Sequence, residues 1–275
     1  MVQILTYLME TSPTRQAMPV VIFCGGTGTR LREETEYRPK PMVEVGGRPI
    51  LWHIMKMYAH HGYHHFILCL GYKGHVIKDY FLRHQLLSHD FQLDLSTNTT
   101  QLLEENGKDQ FQITFADTGQ DTLTAERLLR ASKYIVGDEF MVTYGDGVSD
   151  IDLGQLMRFY QEKRDAHGIH GVVTGVHPKS KYGQVTHDDD HVLTGFQQYP
   201  NLSDYTNAGF WVLHRDFLNY CKPGEMIEDA AISATNDRKM AIYKHDGFWH
   251  AMDTYKDKED LEKMWKTDPK WKVWE

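Results

Sequence analysis

An apolar run, Val20 to Cys24, passes without a polar break into Gly25-Gly26-Thr27-Gly28-Thr29-Arg30. The run has the length and β-branching of a buried strand, and the glycines free the backbone to turn sharply where it ends. Similar strand-like runs follow at His65 to Leu70, Phe111 to Asp117 and Phe140 to Tyr144, with helical patterns between several of them. That alternation predicts a mostly parallel sheet with helices on its faces, an α/β fold whose ligands gather at the carboxyl ends of the strands.

Two helices are legible in detail. After Pro49, the residues Leu51, Ile54, Met55 and Tyr58 keep the i, i+3, i+4, i+7 spacing of one helix face, and Gly62 closes the segment. Leu153, Leu156, Met157 and Tyr160 repeat the pattern behind Asp150 and Asp152 as possible caps. From Gly168 the texture becomes β-rich: Val172 to Val176, Gln184 to Thr186, Val192 to Gln197, Gly209 to His214 and Met240 to Lys244, with turn residues such as Asp188 to Asp190 between them. These pieces read as antiparallel or mixed strands added to the first sheet. A charged helix is expected over Lys256 to Lys266, with Leu261, Met264 and Trp265 as its apolar stripe. Residues 1–17 read as a flexible extension and 18–275 as one domain.

Composition narrows the function. The net charge of -8 argues against a polymer of nucleic acid as partner, because polyphosphate backbones are held by basic surfaces. No apolar stretch approaches the length of a bilayer span, and the first residues lack the pattern of a secretory signal, so no membrane role is expected. Three scattered cysteines, Cys24, Cys69 and Cys221, make no disulfide framework and fit a reducing cytoplasm.

Any anionic ligand must then meet locally gathered cations. The glycine loop allows close approach of backbone N–H groups to phosphate oxygens, and Arg30 adds a forked donor. Its spacing is that of neither a P-loop nor a dinucleotide fingerprint, and a plain strand-to-helix turn is the competing reading. Downstream, Pro39 and Pro41 flank Lys40 and hold it on a stiff, extended segment, although a lone lysine is by default a solvated one. Asp146 ends a strand between Gly145 and Gly147, and Asp253 follows the aromatic run Gly247-Phe248-Trp249. Two carboxylates on separate strand ends would suit magnesium if they met, whereas either one alone reads as a turn or cap residue, and nothing in their spacing pairs them. The histidines at His60-His61 and His64-His65 lack the supporting ligands of a zinc site.

The block from Phe23 to Tyr58 resembles the sugar-1-phosphate nucleotidyltransferases, and the run Trp52 to Tyr58 resembles their glucose-1-phosphate cytidylyltransferase branch. The likeness continues through Gly71-Tyr72-Lys73-Gly74, Asp117-Thr118-Gly119, Thr143 to Gly147, Asn207-Ala208-Gly209-Phe210 and Met252-Asp253-Thr254. It implies a Rossmann-like mixed sheet with an added β-rich acceptor-binding part, and a homo-oligomer. It also implies that Cys24, Gly25, Gly26, Thr27, Gly28, Thr29, Arg30, Lys40, Thr122, Arg127 and Gly145 form the nucleotide site. Arg30, Lys40, Asp146 and Asp253 would serve catalysis, the last two holding Mg2+. The implied reaction is attack by an acceptor phosphate oxygen on the α-phosphorus of CTP, with pyrophosphate leaving.

The acceptor side departs from that pattern. Where the family carries Glu-Lys-Pro, this chain has Gln198-Tyr199-Pro200; Glu-Pro-Leu corresponds to Asp229-Ala230-Ala231 beside Glu228, and Asn-Gly-Gly to Asn207-Ala208-Gly209. Tyr182, Gly183, Gln198, Tyr199, Asn207, Glu228 and Asp229 are the expected acceptor contacts. Either the acceptor is a phosphorylated or phosphonate compound other than glucose 1-phosphate, with Lys179 or Lys181 restoring the lost charge, or Tyr199 is merely tolerated. A non-catalytic protein that binds nucleotide or sugar phosphate is a further alternative. Trp265, Trp271 and Trp274 suit either an interface or the chain's own core.

Overall fold

A computed structural model describes residues 18–103, 109–178, 182–198 and 203–274. Residues 1–17, and with them the expected extension, lie outside the described residues. Seven strands make the main sheet: β1 (Val20–Phe23), β2 (His65–Leu70), β3 (Gln112–Asp117), β4 (Glu139–Tyr144), β5 (Gly171–Val176), β6 (Thr206–His214) and β7 (Met240–Lys244). Their spatial order is β7-β5-β6-β4-β1-β2-β3. Within the sheet β6 alone runs against its neighbours: it is antiparallel to β4 and β5, while β1 is parallel to β2 and β4, β2 to β3, and β5 to β7. The strand order reverses at β1, so the loops after β1 and β4 flank a crevice of the kind that receives ligands in open α/β sheets.

Alternation along the strands sorts the core into two layers. Val20, Ile22, Phe66, Leu68, Met141 and Val212 face one side, where they meet the helices Ile50–His60 and Leu153–His167. Val21, Phe23, Ile67, Cys69, Val142 and Trp211 face the other, against the helices Thr124–Ala131 and Ile227–Asn236. Continuous apolar runs are what a sheet covered on both faces requires. Leu51, Ile54, Met55 and Tyr58 are all fully buried, as their spacing predicts, and burying a Leu or Ile side chain contributes about 1.5–3 kcal/mol. Asp152 caps the second of these helices by accepting from Gln155 N at 2.9 Å, and Gly168 ends it in the left-handed region. Asp150 is no cap; it accepts from Phe248 N at 2.8 Å and pairs with His245.

The later strands need a correction. Three of the five join the main sheet, but Gln184–His187 and Leu193–Gln197 pair only with each other, as a hairpin. A hairpin whose apolar residues Val185, Leu193 and Phe196 remain exposed lacks the burial that would fix it on the sheet. The terminal aromatics cover the chain's own core: Trp271 is buried and its indole N–H donates to His53 Nδ1 at 3.4 Å, with Trp52, Trp265 and Trp274 around the same ring. Burial holds His53 neutral, its pKa pushed down to about 4.

Candidate active site

The loop after β1 is built around an arginine. Cys24 N donates to Cys69 O at 3.0 Å, carrying the β1–β2 pairing one residue past the strand. Gly25 O then accepts from Tyr72 N at 3.2 Å and from Arg127 Nη2 at 3.1 Å. Gly25 is buried, and the exposed part of the loop begins at Gly26 and Thr27. Gly28 takes a left-handed conformation (φ 62°) that only glycine adopts without strain, and starts the single turn Thr29–Leu31 that carries Arg30.

Lys40 sits between the two aspartates. Its Nζ lies 2.5 Å from Asp146 Oδ2 and 2.7 Å from Asp253 Oδ1, and Arg30 Nη1 reaches Asp253 Oδ2 at 3.3 Å. With a side chain 13% exposed, Lys40 is no solvated surface lysine. Burial works against its charge, but Asp146 and Asp253 outweigh burial and hold its pKa above the ordinary value. Pro39 is extended, as the prolines predict, whereas Lys40 itself opens a short 3-10 turn, Lys40–Met42, with Val43 N closing on Lys40 O.

Local packing explains why the carboxylates meet. Gly145 is buried so tightly that a Cβ would fall 2.8 Å from Pro41 Cγ and 2.9 Å from Phe23 O. The end of β4 is thereby pressed against both the end of β1 and the Lys40 turn. The short strands Gly147–Ser149 and Trp249–Ala251 then pair antiparallel, Gly147 opposite Ala251, and Met252 N donates to Asp146 O at 2.9 Å. Asp253 is thus delivered beside Asp146 by two residues of chain. Thr254 caps the helix Tyr255–Thr267, and Asp257 Oδ2 accepts from Asp253 N (3.1 Å), Thr254 N (2.7 Å) and Thr254 Oγ1 (2.8 Å). Lys258, one residue on, pairs with Glu34 from the segment between Arg30 and Lys40. Asp257, Lys258 and Glu34 were not singled out from sequence; Thr254-x-x-Asp257 is a capping-box pattern that marks such a helix start.

The donor set fits magnesium. Two carboxylate oxygens gather around one cationic nitrogen, and magnesium takes one or two carboxylates together with waters and substrate phosphates. Among the described residues no group of three or more His, Cys, Asp and Glu side chains is arranged to hold a metal, so the residues present do not form a site that would close off all of the ion's positions.

Other expected residues fall in distinct places. Arg127 is buried under the loop, donating to Leu70 O (3.2 Å), Thr118 Oγ1 (2.9 Å), Gly119 O (2.7 Å), Gly25 O (3.1 Å) and Gln120 O (3.1 Å). It ties together the ends of β1, β2 and β3. Thr122 Oγ1 donates to Thr118 O at 2.6 Å and Gly119 O at 3.1 Å in the same cluster. Burial pushes the Cys24 thiol pKa well above its ordinary value, so Cys24 enters this edge through its backbone. Of the residues expected to contact an acceptor, Glu228 receives the Tyr144 hydroxyl, while Asp229 is exposed and caps its helix by accepting from Met226 N at 2.9 Å. Asn207 Oδ1 accepts from Gly209 N at 2.8 Å and fixes the turn that lays Gly209 on the Tyr144 ring. Tyr182, Gly183 and Gln198 flank the exposed hairpin, and Tyr182 is 80% exposed. Tyr199, Lys179 and Lys181 lie outside the described residues.

A glycine loop, two cations and two carboxylates at the reversal point of such a sheet are the equipment of an enzyme that moves a phosphate-linked nucleotide. Solved structures share the fold: UDP-glucose pyrophosphorylase in complex with UDP-glucose aligns at a TM-score of 0.64 and 16% identity, covering 90% of this chain and 98% of that one. HddC from Yersinia pseudotuberculosis aligns at 0.63 and 19%, covering 90% and 99%. The chain belongs to the Nucleotidyl transferase family, whose profile matches residues 19–265. It is 42% identical over 261 residues to a Bacillus subtilis protein named "Probable glucose-1-phosphate cytidylyltransferase", covering 94% of this chain and all of the relative. The glucose-1-phosphate cytidylyltransferase of Salmonella typhi is 38% identical over 263 residues, with the same coverage.

Proposed function

We propose that the protein is a magnesium-dependent cytidylyltransferase that joins CTP to a sugar 1-phosphate, releasing pyrophosphate and a CDP-sugar in the cytoplasm. The observation that carries the reading is the Lys40 bridge between Asp146 and Asp253, set against the glycine loop. Full-length similarity to relatives named for this reaction supports the base and acceptor class. The free, buried cysteines Cys24, Cys69 and Cys221 are in keeping with a reducing compartment.

In this reading Gly26 to Thr29 present backbone N–H groups to the triphosphate, and Arg30 approaches it from the exposed side. Lys40 supplies a permanent positive charge where negative charge grows in the transfer step. Asp146 and Asp253 would hold magnesium, which when bound neutralises phosphate oxygens and aligns them. Positioning and charge suffice for in-line attack by an acceptor phosphate oxygen, with no covalent enzyme intermediate. Glu228, oriented by Tyr144, faces the acceptor. Gln198-Tyr199-Pro200 offers that acceptor no lysine, and the reading therefore includes an acceptor other than glucose 1-phosphate.

Pyrophosphate release tests the proposal, with CTP, UTP, dTTP, ATP and GTP each paired with a panel of sugar phosphates and phosphonates. Fastest turnover with CTP and a sugar 1-phosphate is expected. Fastest turnover with glucose 1-phosphate would overturn the altered acceptor, fastest turnover with a compound that is no sugar 1-phosphate would overturn the acceptor class, and a preference for another triphosphate would overturn the base.

A further inference from the structure

We infer that the Lys40 ammonium and the divalent cation are rivals for one position, so that the cation enters between Asp146 and Asp253 together with a nucleotide whose phosphates draw the ammonium away. The inference rests on the proposed function for the identity of the nucleotide and adds to it an order of loading.

The geometry sets the competition. Lys40 Nζ lies 2.5 Å from one carboxylate and 2.7 Å from the other. Magnesium sits about 2.0–2.1 Å from its oxygens, so an ion on the Asp146 oxygen that Lys40 holds would stand within about 4.6 Å of the nitrogen. Two positive charges that close in a half-buried setting repel one another strongly. Arg30, on the second oxygen of Asp253, adds to the positive charge an incoming cation meets.

The lysine also has somewhere to go. Its stem runs beside the glycine loop: a Cβ on Gly28 would lie 3.1 Å from Lys40 Cβ. Rotation of the side chain alone can carry the ammonium from the carboxylates toward phosphates held by that loop. The backbone stays in place, because Pro39 and Pro41 restrict it and Pro41 is wedged against Gly145. A free cation gains two carboxylates but leaves the ammonium without a partner. A cation arriving with a nucleotide supplies new anionic partners for Lys40 at the same moment.

Manganese binding, followed by the electron paramagnetic resonance signal of the free ion, reads the competition without turnover. Lys40→Gln keeps polarity and most of the side chain's length and removes its charge. In the absence of nucleotide, K40Q is expected to bind one Mn2+ at least about tenfold more tightly than the wild type, the scale of relieving one like-charge contact. Adding Asp146→Asn to K40Q should abolish the gain, which places the ion between the two carboxylates. Circular dichroism and melting temperature establish that each variant is folded. Equal Mn2+ affinity of folded K40Q and wild type overturns the inference, as does a gain that survives Asp146→Asn. CTP should raise the affinity of the wild type for Mn2+ and narrow its difference from K40Q. If another triphosphate does this and CTP does not, the base assignment fails while the competition stands.

Discussion

A side chain on Gly25 and the guanidinium of Arg127 exclude one another, because a Cβ at Gly25 would fall 2.1 Å from Arg127 Nη1. The glycine loop is thus shaped from beneath by an arginine that fills the space a glycine leaves. Gly25→Ala should destabilise the protein by about 1–3 kcal/mol, as overpacking does. Arg127→Met leaves several buried carbonyls without a donor, at about 1–3 kcal/mol for each that water cannot reach. Because a methionine side chain can bend away from the added methyl group, the double variant should cost less than the sum of the two. Urea denaturation of the four proteins measures this, and strict additivity would show that the two residues do not share the space.

Loss of either carboxylate should act on the chemical step. Asp146→Asn and Asp253→Asn are each expected to lower kcat by about a hundredfold or more, the scale of removing one preorganised charge from a transfer centre. The magnesium concentration needed for half-maximal rate should rise in both. Steady-state kinetics across a magnesium series gives the result; an unchanged magnesium dependence would remove the residue from the metal site.

Much of this arrangement is legible in the sequence and part of it is not. The helix Ile50–His60 declares itself because Leu51, Ile54, Met55 and Tyr58 face one sheet, and the loop after β1 because glycine is the residue that permits Gly28's backbone. The meeting of Asp146 with Asp253 has no local signature. It depends on the pairing of Gly147–Ser149 with Trp249–Ala251, two short strands distant in the chain whose register no periodicity sets. Arg127 lies in the stretch after Asp117-Thr118-Gly119, which the family resemblance picks out, yet the direction of its guanidinium follows from three strand ends converging on it. The hairpin at Gln184–His187 has the alternation of a sheet strand, and nothing in that alternation says which partner it takes.

Acid should weaken the fold through His53. Burial lowers its pKa to about 4, against an ordinary value of 6.5, so the unfolded chain binds a proton that the folded one resists. Stability is therefore fully present above pH 6.5 and falls as the pH drops toward 4, by about 2 kcal/mol at pH 5 and about 3 kcal/mol at pH 4. Asp109, held down to about 2 despite burial by hydrogen bonds from His84, Trp52 and Lys56, gives stability that is present above its ordinary value of 3.8 and lost below it. The two windows are separate. Denaturation midpoints between pH 7 and pH 4.5 should fall in the wild type and fall less in His53→Leu; equal slopes would assign the effect elsewhere.

Glu228 and Tyr144 should govern the acceptor alone. Glu228→Gln and Tyr144→Phe are expected to raise the acceptor KM by about tenfold, the equivalent of one hydrogen bond to a charged group, with the CTP KM unchanged. Kinetics with each substrate varied in turn separates the two constants. A rise confined to CTP would move this pair to the nucleotide side.

Asp257 should act through its neighbour. Asp257→Ala removes the acceptor shared by Asp253 N, Thr254 N and Thr254 Oγ1, and is expected to cost about 1 kcal/mol as a lost helix cap. It should also raise the magnesium requirement, whereas Asp257→Asn, which retains an accepting oxygen, should restore most of both. Failure of asparagine to rescue would make the role one of charge rather than of alignment.

Lys40 and Asp253 stand 213 positions apart, and the second lies at the threshold of the helix Tyr255–Thr267. A growing polypeptide can therefore lay down the glycine loop, the lysine and most of the sheet while still lacking one of its two carboxylates. A fragment ending before Asp253 is expected to lack nucleotidyl transfer, because it carries Lys40 and Asp146 without the second carboxylate.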